Sequence, residues 1–222
     1  MLKIVVFDGG YGGEFFANRL EEELPVVDVI RVIDWRESED FLKNLRVARR
    51  KAMDALRPYI GRVDLIVFAN HLLAATSLRF FQRKYQNQQF LGIKLPCPTD
   101  FVKRPATILT TKALAKTINY HNYLFRLKRK TYTLCLDEWV KLIDDGELTD
   151  AKVRSEFENF YLKYHYRTPE IIIACSHFND VIPTIRKIFG YNVKIHDSFD
   201  DAIIDICKIL KIRGRTGKKR KK

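Results

Sequence analysis

Residues 63–78, VDLIVFANHLLAATSL, and residues 169–185, PEIIIACSHFNDVIPTI, follow one pattern. Each has an acidic residue, a short run apolar at every position, an alanine, a polar cluster and a stretch of helical spacing. A strand with one wet face alternates apolar and polar residues. A strand that is apolar throughout is buried on both faces, as in a parallel sheet layered between helices. The pair therefore decides the fold class, α/β, and suggests that the pattern occurs once in each half of the chain.

The rest of the chain agrees with that reading. LKIVVF, VDVIRVI, DLIVFA and QFLGI in the first half, and ATILTT, YTLCL, EIIIAC and VKIHD in the second, read as strands. Helical patterns separate them over 14–23, 40–56, 73–85, 112–128, 137–144, 150–164 and 181–189, and a last one spans 199–210. Matching Ala69 with Ala174 sets Asn70 opposite Cys175, and KIVVFDGG opens the first half as ATILTTKA opens the second. The expectation is two pseudo-symmetric lobes, each a parallel sheet flanked by helices, with a cleft between them. The first lobe is 1–98 and the second 99–196, with a Pro-rich crossover near 95–105. A C-terminal helix at 197–212 returns to the first lobe, and a basic tail occupies 213–222. In open parallel sheets ligands sit beyond the carboxyl ends of strands, which is where Asp8, Asn70, Thr111 and Cys175 fall.

Composition narrows the class. The 222 residues are 46% hydrophobic, enough for a substantial core, and no apolar run reaches the roughly 20 residues that span a bilayer. With no signal-peptide pattern at the start, a cytoplasmic protein without membrane contact is expected. Four cysteines lie far apart without metal-ligand spacing, so neither a disulfide framework nor a metal site is indicated. Cys97, Cys135 and Cys207 read as core residues. The net charge of +13 is uneven: RGRTGKKRKK at 213–222 holds seven of the basic residues, which leaves +6 on residues 1–212. Such a tail either solubilises the chain or binds nucleic acid through sequence-blind, salt-sensitive phosphate contacts. RVARRK at 46–51 and RLKRK at 126–130 read as solvated helix faces able to join it in one basic surface.

The glycines of FDGGYGG (residues 7–13) invite a phosphate-loop reading, which the details oppose. Gly10 and Gly12 begin a dinucleotide fingerprint, but Phe15 stands at the third glycine place, and the Lys-Ser or Lys-Thr ending of a nucleotide-triphosphate loop is missing. The loop instead places Asp8 at a strand end beside glycines that let the backbone come close to a small carboxylate ligand.

In order and spacing, FDGGYGG, FANHL, ACSHF and the later HDS with Asp197 and Ser198 resemble the aspartate/glutamate racemase superfamily, glutamate racemase above all. The resemblance covers nearly the whole chain except the tail. It implies cofactor-free acid/base chemistry at the α-carbon of a small carboxylate or amino acid, with two cysteines on opposite faces of the substrate. It carries Cys175 over as one acid/base, with His177 beside it and Ser176 as a substrate-binding hydroxyl. Asp8 is the carboxylate that would assist the first cysteine, and Gly9, Gly10, Asn70 and Thr111 line the substrate. The first cysteine itself is replaced by Asn70, which cannot move an α-proton. His71 is the neighbouring base that could stand in for it, or else a histidine satisfied structurally at a strand end. Cys175 alternatively is a buried, inert thiol. Leu72 takes a hydroxyl place, Leu114 a threonine place, and the Pro-Tyr-Gly stretch of the family is not evident in DWRESEDF. Chemistry reduced to one base, as in arylmalonate decarboxylase, which keeps only the second cysteine, competes with a non-catalytic binding protein that contacts nucleic acid through its basic surface and tail. A homodimer is compatible with either.

Overall fold

The computed structural model describes residues 1–33, 44–96, 105–127, 130–164 and 170–214. DWRESEDF, Cys97, most of the Pro-rich crossover and the tail from residue 215 lie outside the described residues. The chain divides into two compact units, one formed by Met1–Lys94 with everything from Ser198 onward, the other by Leu95–Asp197.

In the first unit the order is β1 (Leu2–Asp8), α1 (Gly12–Glu23), β2 (Val27–Ile33), α2 (Leu45–Leu56), a short 3-10 turn (Arg57–Tyr59), β3 (Leu65–Phe68), α3 (His71–Lys84) and β4 (Phe90–Gly92). In the second it is β5 (Ala106–Thr110), α4 (Lys112–Ala115), α5 (Ile118–Leu127), β6 (Thr131–Cys135), α6 (Asp137–Asp144), α7 (Asp150–Tyr164), β7 (Glu170–Ile173), a 3-10 turn (Ser176–Asn179), α8 (Ile182–Phe189) and β8 (Lys194–His196). The last helix, α9 (Phe199–Leu210), belongs to the first unit. The sheets have the same strand order, β2-β1-β3-β4 and β6-β5-β7-β8, and every pairing is parallel. The repeat extends to single hydrogen bonds: Ala69 N–H donates to Phe7 O at 2.9 Å, and Ala174 N–H to Leu109 O at 2.8 Å.

The all-apolar strands are explained by the first unit's core. Successive side chains of a strand point to opposite faces. Ile4, Val6, Leu65 and Val67 pack on one face with Phe16 and Leu20 of α1 and Ile203 and Ile206 of α9. Val5, Phe7, Ile66 and Phe68 pack on the other with Ala48, Ala52 and Leu56 of α2 and Leu73 and Phe81 of α3. Neither face meets water over Ile4–Phe7 and Leu65–Phe68, which is why those positions are apolar without a break.

The structure differs from the sequence expectations in four places. The continuous helix expected over 112–128 is two, because Thr117 ends one and starts the next: its hydroxyl donates to Leu114 O at 2.8 Å and accepts from Tyr120 N–H at 3.2 Å. The polar cluster after Cys175 forms a 3-10 turn over Ser176–Asn179, where the sequence pattern places no element. Cys135 and Cys207 are half-buried instead of fully enclosed, Cys207 packing against the edge of the first unit's core. Arg49, read as part of a solvated face, is half-buried with its guanidinium 4.8 Å from the Phe80 ring centre.

Candidate functional site

The first unit gathers its candidates where β1 and β3 end side by side. Asp8, the last residue of β1, is fully buried. Asn70 follows β3 and caps α3, its Oδ1 accepting from Leu73 N–H at 2.9 Å, while its Nδ2 donates to Asp8 Oδ1 at 3.0 Å. Both ends of the amide are thus used, one for the helix N-terminus and one for the carboxylate. An amide so held orients Asp8 but exchanges no proton with a carbon acid.

The glycine loop works through contact. Gly9, Gly10 and Gly12 are buried, and none of the loop's glycines has a positive φ, so conformational freedom does not account for them. Gly13 does have a steric reason: a Cβ there would stand 2.5 Å from Asp8 Cβ and 3.1 Å from Ile33 Cδ1. Glycine lets α1 start against the strand end that carries the carboxylate. Gly10 O accepts from Gly13 N–H at 3.2 Å, closing the turn.

His71, the first residue of α3, is buried. Its Nε2 lies 2.9 Å from Ser198 Oγ at the start of α9, and its Nδ1 has no hydrogen-bond partner among the described residues. Burial pulls its pKa down to about 3, so the ring is neutral near pH 7. Sequence reasoning gave Ser198 no role, although it stands in the quoted HDS.

The second unit repeats the arrangement with different chemistry. Thr111, after β5, caps α4 by accepting from Leu114 N–H at 3.4 Å, which leaves its hydroxyl proton to donate. Cys135 ends β6. Burial, then the nearby Asp137 carboxylate, push its pKa up and hold it as the thiol. Cys175 follows β7 and opens the 3-10 turn that contains buried Ser176 and His177. Cys175 Sγ lies 3.8 Å from His177 Nδ1, and His177 Nε2 lies 3.2 Å from Asp144 Oδ1.

Sequence reasoning missed Asp144. It ends α6, where the helix dipole disfavours a carboxylate and Gly146, at φ +69, turns the chain away. Packing brings it to His177: Phe178, the next residue along the turn, meets Trp139 of α6 edge to face with ring centres 5.9 Å apart. The acidic pair before Gly146 was a visible signal, but it does not say which aspartate points at the turn. Among the described residues no group of three or more His, Cys, Asp or Glu side chains is arranged to hold a metal ion, and no helix is long and apolar enough to cross a membrane.

Thiol, imidazole and carboxylate stand in one line in the second unit, and the fold around them has known counterparts. The glutamate racemase of Lactococcus lactis is 21% identical over 224 residues, covering 98% of this chain and 82% of the relative. The structure of Escherichia coli glutamate racemase superposes with a TM-score of 0.82 at 15% identity, over 96% of this chain and 84% of that one. The chain is similar to glutamate racemases in sequence and in fold. Aspartate racemase from Picrophilus torridus shares the fold more distantly, with a TM-score of 0.59 at 16% identity over 97% of this chain and 96% of that one. Both parallel four-stranded sheets and their flanking helices match the fold of the glutamate racemase structures. No protein-family model matches the chain.

Proposed function

We propose that this racemase-like protein performs cofactor-independent acid/base chemistry at the α-carbon of a small amino acid or carboxylate, and that it does so from one side, through Cys175. The observation that carries the proposal is the line Cys175 Sγ, His177 and Asp144, with separations of 3.8 and 3.2 Å. With the ring proton on Nε2, facing the Asp144 carboxylate, Nδ1 takes the thiol proton and leaves the thiolate, the only form of cysteine basic enough to act. The thiolate then removes the α-proton: the C–H bond breaks, S–H forms, and the electron pair moves into the substrate carboxylate as an enediolate. Return of a proton from the same sulfur completes exchange with retention. Thr111 and Ser176 are the hydroxyls that would hold the carboxylate as charge grows on it. In the first unit the Asp8 carboxylate is engaged by Asn70. His71, buried and neutral, is a poor second base.

The Asp8–Asn70 hydrogen bond favours a second reading, a binding protein that retains the fold and has lost turnover. One experiment separates the two. Because the Escherichia coli enzyme structure contains L-glutamate, the protein is incubated with L-glutamate, and separately L-aspartate, in D₂O, and the α-carbon is followed by NMR and chiral chromatography. Deuteration with retention supports one-base chemistry. Inversion restores a two-base racemase, and no exchange with either substrate leaves the binding protein. Cys175→Ala must abolish any exchange, or the thiol is not the base.

A further inference from the structure

The paired helices α2 and α3 carry a surface that chemistry at an α-carbon does not use. Their rotational phase is fixed by the seam between them: Arg49 of α2 lies over Phe80 of α3, and Lys84 Nζ of α3 lies 3.4 Å from Met53 Sδ of α2 and 5.7 Å from the Phe80 ring centre. Positions four apart share a helix face. Arg46 and Arg50, next round α2 from the seam, and Arg79 and Arg83, next round α3, therefore lie along its outer side. All four are exposed, and none has an ion-pair partner among the described residues. Acidic residues are nearly absent: α3 has none, and α2 has Asp54 alone, which pairs with Arg57 at 3.0 Å.

A helix face of this kind would be expected to interleave acids with its bases if solubility were its sole role. Here two arginine pairs flank a seam whose own cations are held by aromatic and sulfur contacts, so the outer guanidiniums project from a rigid base. Guanidinium forks match phosphate oxygens in pairs, and a repeating row of phosphates matches two parallel rows of arginine better than a single anion does. We infer that the outer face of α2 and α3 binds the phosphodiester backbone of nucleic acid, without reading its sequence. This assigns a structured surface apart from the tail, and it does not depend on whether the protein turns over substrate.

The test is fluorescence anisotropy with a short mixed-sequence DNA duplex, titrated at several salt concentrations. Each phosphate contact adds about 0.9 to the slope of log affinity against log salt. In the full chain, Arg46→Ala with Arg50→Ala, and Arg79→Ala with Arg83→Ala, are each expected to weaken binding roughly ten-fold and to lower that slope by about 2. The corresponding lysine variants should keep most of it, and they serve as the control for folding. A full-length chain with Lys218, Lys219, Arg220, Lys221 and Lys222 changed to Gln isolates the helical face from the tail and should still bind with a salt-dependent slope. Unchanged slopes in both arginine double variants, or loss of all binding with the tail change, would assign nucleic-acid binding to the tail and overturn the proposal. So would binding of phosphatidylserine vesicles, sensitive to the same arginines, without binding of duplex.

Discussion

Asn70 Nδ2 donates to Asp8 Oδ1 at 3.0 Å while Asn70 Oδ1 accepts from Leu73 N–H at 2.9 Å, so one side chain joins the end of β1 to the start of α3. Where the resemblance to the racemases expects a cysteine, this chain has a bridge. Asn70→Ala removes the helix cap and leaves a buried carboxylate short of a donor. The expected loss is about 1–3 kcal/mol, read as a fall in the urea midpoint with an unchanged m-value. A variant as stable as the wild type would show that the bridge contributes nothing.

Gly13 is set against the same carboxylate. In Gly13→Ala the new methyl meets Asp8 Cβ at 2.5 Å, too close for a side chain that is itself fully buried. Either α1 or the end of β1 must shift, costing about 1–3 kcal/mol. A thermal melt measures the cost, and a neutral substitution would mean that the helix start relaxes freely.

The line from Cys175 through His177 to Asp144 predicts a graded series in the α-exchange assay. Cys175→Ala abolishes exchange, since it removes the base. His177→Asn lowers the rate about 10²- to 10⁴-fold, the usual contribution of a positioned acid/base group. Asp144→Asn keeps the shape but exchanges the facing carboxylate for an amide, so it should fall between wild type and His177→Asn, with an altered pH profile. Equal rates in wild type and Asp144→Asn would remove the carboxylate from the mechanism.

His71 links acid stability to burial. Its folded pKa, pulled down to about 3 by burial, lies below the ordinary histidine value near 6.5. Above 6.5 both folded and unfolded chains leave the ring neutral. As pH falls from there toward 3 the unfolded chain takes a proton that the folded one refuses, so stability is lost at up to about 1.4 kcal/mol per pH unit. Urea titrations across that window should show a shallower slope in His71→Gln by about one proton. An unchanged slope would mean that the folded protein already protonates His71 or rearranges to do so.

The sequence by itself determined the α/β class, the parallel strands, the twofold pattern and the matching of Asn70 with Cys175. Each of these is written in local order: runs apolar at every position need two covered faces, and strand-alanine-cap-helix recurs as a string of adjacent residues. Only tertiary structure decided what the candidate residues do. Asp144 is far from His177 in sequence and meets it because Trp139 packs on Phe178. Ser198 reaches His71 because α9 folds back onto the first sheet through Ile203 and Ile206. The break at Thr117 turns on which way one hydroxyl points, and Gly13 is required by a strand end that local sequence places beside it without saying how near. Periodicity fixes which faces are buried, whereas hydrogen-bond partners and close contacts depend on where remote segments dock, and that is set by packing of the whole core.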